Sequence, residues 1–258
     1  MSHARFGGAY AVRRGTKTVF VYSFGMVAST DGSNGTPADR AERAYASVRA
    51  AVIEGALTPG TKLGEEALAA HYGVSRTLVR TVLTRLVNDG LVESPHGRSA
   101  EVAQPTIEEA RDAFVVRRAL EREAVLRVAE RWDDGIHERL RAHARAEREA
   151  WTERRSAASA RLGGEFHILL ARESGNALLQ RYMSEVVSRT ALILTIYGRD
   201  IEQGASIAEH DELIALLAAG DGAAAADHVA AHLDGVETKA LRAETPAGDP
   251  LLSVLARY

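Results

Sequence analysis

The sequence predicts a mostly α-helical chain: an N-terminal winged helix-turn-helix followed by an all-α antiparallel helical bundle. Three observations carry this reading. Apolar residues recur at i, i+3 and i+4 through most of 106–243, as they do in successive amphipathic helices. Between 63 and 90, two shorter helical patterns flank a tight turn at Gly73. Finally, LVESPHGRSAEVA (91–103) reads as strand, turn and strand, with Pro95-His96-Gly97-Arg98 at its tip.

Composition sets the bounds. A chain of 258 residues is long enough for two modest domains, and its 46% hydrophobic and 26% charged residues are ordinary for a globular protein. There are no cysteines, which excludes disulfides and thiolate metal sites. The net charge of −3 gives the whole chain no basic excess, so any nucleic-acid contact must come from a local patch. No stretch reaches the roughly 18 apolar residues of a membrane-spanning helix, so no membrane partner is expected. VFVYSFGMVA (19–28), after Arg13, Arg14 and Lys17, faintly resembles a secretory signal. The plainer reading is an N-terminal extension. No Gly-rich phosphate loop and no GxSxG turn is present.

Four segments follow. Residues 1–39 read as a disordered extension and linker, with STDGSNGTPAD (29–39) linker-like by composition. Residues 40–104 form the winged unit, 106–243 the helical bundle, and 244–258 a loosely docked tail. Pro105 marks the second boundary, and Thr106 with Glu109 makes a capping-box pattern at the next helix.

In the winged unit, AYASVRAAVIEGALTPGTKL (44–63) reads as a helix ending at a Pro59-Gly60 turn. LGEEALAAHYGV (63–74) is a short helix with Leu63, Ala67 and Leu68 inward. In GVSRTLVRTVLTRLVNDGLVE, Val79, Val82, Leu83, Leu86 and Val87 form one apolar face; Ser75 suits the N-cap and Gly90 the C-terminal end. Thr77, Arg80, Thr81 and Thr84 face away from that core, with Arg76 in the first turn. Hydroxyls and guanidiniums at a helix N-terminus suit phosphates and guanine edges. Lys or Arg at 43, 49, 62, 76, 80, 85 and 98 is matched by Asp or Glu at 42, 54, 65, 66, 89, 93 and 101, so non-specific affinity should be modest.

Residues 44–103 resemble the DNA-binding domain of the GntR family of bacterial transcription regulators, through VIEGALTPGTKL, EEALAAHYGVSRTLVR and LTRLVNDGLVE. The resemblance implies that Ser75, Arg76, Thr77 and Arg80 meet the major groove of double-stranded DNA. It also implies that His96 and Gly97, with Arg98 beside them, reach the minor groove. Some members carry an arginine where this chain has Glu66.

In the bundle, TIEEARDAFVVRRALEREAVLRVAERW (106–132) is a long helix, followed by helices near 134–151, 154–173, 176–198, 206–219 and 222–242. VVRRALE, EFHILLARESGN, AEHDELIALLAAGD and HVAAHL resemble the FCD ligand-sensing domain of one GntR subgroup, the FadR type. His167, His210 and His232 lie on inward faces of three helices, where neutral imidazoles can converge on one divalent ion such as zinc, or contact an effector directly. The His210 helix is expected to start with a Ser206–Glu209 capping box, and His228 could offer a further nitrogen. In the subgroup an aspartate four residues before the first histidine completes the metal site; that position is Gly163, so an Asp restored there is expected to raise divalent affinity. Arg117, in the pattern R..LE, is either a cavity residue suited to a carboxylate or a partner of Glu121, and Arg118 reads as solvated.

The expected function is a ligand-responsive, cytoplasmic transcription regulator: a homodimer on a palindromic operator, a repressor, retuned by a small carboxylate. Two alternatives remain at this point. One is a metal-free regulator responding to an acyl thioester. The other is a metal-dependent enzyme built on the three histidines, which lacks an evident general base.

Overall fold

The computed structural model describes residues 10–14, 17–21, 36–94, 99–198 and 203–241. An antiparallel hairpin of β1 (Tyr10–Arg14) and β2 (Lys17–Val21), in register from Tyr10↔Val21 to Arg14↔Lys17, belongs to a first unit, Met1–Gly35. The extension read as disordered therefore holds two strands. KTVFV is rich in β-branched and aromatic residues, which favour pleated backbone, and a search for helical period misses that signal.

The second unit begins at Thr36. Its first helix, α1 (Pro37–Ile53), starts earlier than composition suggested. Thr36 and Asp39 form a complete capping box around Pro37 at N1, so TPAD is a helix start rather than linker. After α1 come α2 (Glu65–Tyr72), α3 (Arg76–Asn88), β3 (Val92–Glu93) and β4 (Glu101–Val102). The short strands pair antiparallel, and Lys62 bridges to Glu101. Gly73 closes α2 at φ +63°, the left-handed conformation that lets the chain reverse into α3.

Val52, Val79, Val82, Leu86, Leu91 and Val102 fill the winged core. Two expected core residues are not inside: Val87 is 38% exposed, and Ala67 lies on the exposed side of α2. A residue from the bundle, Leu192, takes a fully buried place in this core.

The bundle consists of α4 (Ile107–Glu130), α5 (Asp134–Thr152), α6 (Ser156–Glu173), α7 (Ala177–Tyr197), α8 (Gln203–Ala218) and α9 (Gly222–Ala240). The Thr106–Glu109 capping box forms as expected. The Ser206–Glu209 box does not, because α8 already runs from Gln203 and Ser206 lies within it. One apolar cluster joins α4, α5, α6, α8 and α9 around Phe166, Leu170 and Leu213; a second joins α4, α6, α7 and α9 around Phe114 and Met183.

Candidate functional site

On α3, Ser75 Oγ accepts from the amide of Leu78 at 3.3 Å and caps the helix. Arg76, Thr77 and Arg80 stand exposed in line with it. Both arginines reach the same carboxylate at the start of α2: Arg80 Nε donates to Glu65 at 2.9 and 3.0 Å, and Arg76 Nη2 at 3.2 Å. The two bonds, Arg80's first, hold the Glu65 carboxyl below the usual carboxylate range. Thr81 and Thr84 turn their hydroxyls back to the carbonyls of Thr77 and Arg80, so neither offers its proton outward. His96, Gly97 and Arg98 lie outside the described residues.

In the bundle, His167 from α6, His210 from α8 and His232 from α9 converge, and one ligand atom from each lies within 4.8 Å of the others. His167 Nε2 and His210 Nε2 are 3.3 Å apart. The opposite nitrogen of each ring meets a carboxylate. His210 Nδ1 is 2.9 Å from Glu147 of α5, His232 Nδ1 is 2.5 Å from Glu209 of α8, and His167 Nδ1 faces Glu121 of α4 in a buried contact. An ionised carboxylate can only accept, so these partners put the ring proton on Nδ1 and leave the Nε2 lone pairs free toward the centre. Phe166 stacks on His210 with ring centroids 4.3 Å apart and fixes its plane.

Burial favours the neutral form of His167 and His232. Desolvation drives His167 well below the ordinary histidine value, reinforced by the nearby Arg117 charge. His232 is pushed down to about 4 by burial, against the pull of Glu209. The hydrogen bond from His232 in turn holds Glu209 low.

Arg117 is buried and takes the Glu-paired arrangement: Nε donates to Glu121 at 3.2 Å and Nη1 to Thr190 Oγ1 at 3.0 Å. Desolvation lowers its pKa to about 9. Arg118, read as solvated, is half-buried and bridges Asp234 and Glu237 of α9. His228 is no part of the cluster, since its Nε2 bonds the carbonyl of Glu209 at 2.9 Å.

Sequence reasoning missed Glu121, Glu147 and Glu209 as partners of the histidines. By spacing alone Glu121 pairs with Arg117, and Glu209 pairs with Ser206 as a capping box. Glu147 was passed over in the charged run of α5. A signal existed there: Ile136, Leu140, Ala144, Glu147 and Ala150 follow helical spacing and are all buried, so a carboxylate occupies a core position.

Two family descriptions match the chain: "Bacterial regulatory proteins, gntR family" over residues 40–102, and "FCD domain" over residues 112–235. The sequence is 30% identical over 213 residues to the HTH-type transcriptional regulator LutR of Bacillus subtilis (strain 168), spanning 72% of this chain and 94% of LutR. The chain belongs to the GntR family of transcription regulators, with an FCD domain. It is therefore a DNA-binding, ligand-responsive regulator and not an enzyme. Among solved structures, it is similar to a GntR regulator from Rhodococcus sp. RHA1 at TM-score 0.69 and 25% identity, covering 80% of this chain and 99% of that one. It shares its fold with E. coli McbR/YncC at TM-score 0.66 and 20% identity, covering 76% and 94%.

Proposed function

We propose that this regulator is a cytoplasmic homodimeric repressor that reads a short palindromic operator and is retuned by a small carboxylate bound at the histidine cluster. In this reading Ser75, Arg76, Thr77 and Arg80 enter the major groove. His96, Gly97 and Arg98 of the wing follow the minor groove.

The observation that carries the effector half is the three Nε2 atoms turned to one centre, each ring backed by a carboxylate. Glu121, Glu147 and Glu209 each stand against one ring, and one guanidinium, Arg117, pairs with Glu121, so the cluster gathers three carboxyl groups around three imidazole nitrogens. The residues therefore fit a divalent ion on His167, His210 and His232, with the carboxylates orienting the rings. Such an ion would supply open coordination positions to an effector carboxylate. The charged lining disfavours an acyl chain as the occupant.

The dimer reading draws on an apolar face left open by α4 and α7. Val115 and Val116 are 59% and 50% exposed, and Leu178 and Tyr182 are 56% and 43% exposed. A groove between these helices is lined by Val116, Leu120, Tyr182 and Val186 together with the charged Glu109, Asp112, Glu185 and Arg189.

A physical link joins the two halves. Arg49 of α1 donates to Ser188 of α7 at 3.1 Å and lies 3.8 Å from Glu165, two residues before His167 on α6. Arg161 ties that same Glu165 to Glu54 at the end of α1, and Thr195 Oγ1 donates to the Ile53 carbonyl at 2.6 Å. A change in the position of α6 is thereby felt at the helix that carries the winged core.

Metal analysis of purified protein before and after chelation, with sedimentation to count protomers, tests this reading. A dimer taking up one zinc per chain is expected. A monomer, or a chain that takes up no zinc after chelation, would contradict the corresponding part.

A further inference from the structure

Gly163 is buried in the middle of α6, where glycine is about 1 kcal/mol worse than alanine. Its backbone is helical, so no left-handed turn requires it. A neighbour does. A Cβ at 163 would lie 2.9 Å from Glu147 Oε1 and 3.2 Å from Gln203 Nε2, closer than real Cβ atoms approach in the first case. The next residue differs: a Cβ at Gly164 would meet only Val187 Cγ1, at an ordinary 3.5 Å.

The Glu147 carboxylate is not a loose side-chain end that could step aside. It is fully buried, and both oxygens are engaged, Oε1 by Gln203 Nε2 at 2.9 Å and Oε2 by His210 Nδ1 at 2.9 Å. Gln203 also reaches the Ser159 carbonyl at 3.4 Å, and Ser159 Oγ donates to the Glu147 carbonyl at 3.2 Å.

We infer that Gly163 and Glu147 form one device. The glycine clears a slot through which α5 delivers a buried carboxylate to the histidine cluster, and Glu147 is a positioning residue that fixes His210 with its Nε2 inward. The negative charge expected from α6 thus comes from α5. An Asp at 163 would compete for space already taken by a like charge, which reverses the expectation drawn from sequence. The inference rests on the three-histidine reading for its metal consequence, but not for the Gly163–Glu147 contact itself.

The test uses the full chain. In chelated protein, Gly163→Ala is expected to lower Tm in the wild-type background and to raise it beside Glu147→Ala, the sign reversal that a single shared slot demands. A Gly163→Ala variant as stable as wild type or more so would overturn the pairing. That arm stands alone if Glu147→Ala fails to fold. Glu147→Gln keeps the volume and removes the charge; it is expected to weaken zinc binding about 10- to 100-fold, as loss of a partner behind a ligating histidine does. The same variant should loosen the Nδ1–H tautomer of His210, read from imidazole nitrogen chemical shifts. Unchanged zinc affinity and tautomer would overturn the positioning role. If wild-type protein takes up no zinc, the metal reading falls by itself, and the Tm reversal and tautomer still decide the pair.

Discussion

Two arginine–glutamate contacts, one in each half of the chain, have opposite consequences. Arg80 meets Glu65 on the winged unit with the arginine side chain 64% exposed; Arg117 meets Glu121 in the bundle with both side chains at most 4% exposed. Water screens the first pair, so it adds little to stability and its partners can part. The second pair has no water to fall back on, and removing one partner strands the other charge. An exposed guanidinium held by one carboxylate is stored in place yet free to exchange that carboxylate for a phosphate or a guanine. A buried one is part of the frame. The same pairing is labile at the surface and structural inside.

The contrast can be broken most sharply at Arg117. Arg117→Ala should cost about 3–5 kcal/mol of folding stability, measured by denaturant unfolding, with Arg117→Met beside Glu121→Gln recovering much of it. A loss below about 1 kcal/mol would make the buried pair no different from the exposed one. Arg80→Ala should leave the denaturant midpoint of unfolding close to the wild-type value. It should instead weaken binding to a selected operator by about 1–3 kcal/mol, seen in fluorescence anisotropy.

A smaller effect sharpens the comparison within the winged half. The Tyr45 hydroxyl donates to Asp89 at 2.5 Å, and burial followed by that bond pushes its pKa up to about 12. The folded value is raised, so this contribution is complete below the free tyrosine value of about 10 and is lost as pH climbs from there through the folded value. Wild type should therefore lose its stability advantage over Tyr45→Phe across that window, in unfolding curves taken at stepped pH. An advantage constant with pH would show that the bond is not formed. The smallest change is expected from Glu65→Gln. Stability should barely move, while DNA binding at low salt strengthens a few-fold as the competing carboxylate is neutralised. Weaker DNA binding would mean that Glu65 orients the arginines rather than merely storing them.

The same contrast explains what could be read from the sequence. Helix α3 is local: Ser75 caps it, and its apolar face and its polar face both repeat with helical period, so its bounds are legible within a residue or two. The three histidines were legible because each sits on an apolar face. Their carboxylates were not, because Glu121, Glu147 and Glu209 arrive from three different helices, and no spacing within one segment encodes that meeting. Glu209 shows the competition directly. Its capping-box spacing to Ser206 is genuine, but α8 begins earlier and His232 takes the carboxylate. Gly163 breaks the expected ligand pattern, and the reason we infer for it is not encoded in its own segment. It marked a place emptied for Glu147, visible only once α5 and α6 are packed. The β1–β2 hairpin escapes a search for helical period, because its signal is the β-branched and aromatic run of KTVFV.

The central claim is that an interior cluster of charged groups governs an exposed reading helix. The most direct measurement selects duplexes from a random-sequence pool with the full chain. It then follows binding to the winning duplex with chelator, with zinc, and with zinc plus simple carboxylates such as acetate, succinate and citrate. The account predicts a palindromic winner whose Kd shifts by the equivalent of about 1–3 kcal/mol among these conditions, with the shift abolished in His210→Ala. No enriched sequence, or a Kd that none of these additions moves, would contradict it.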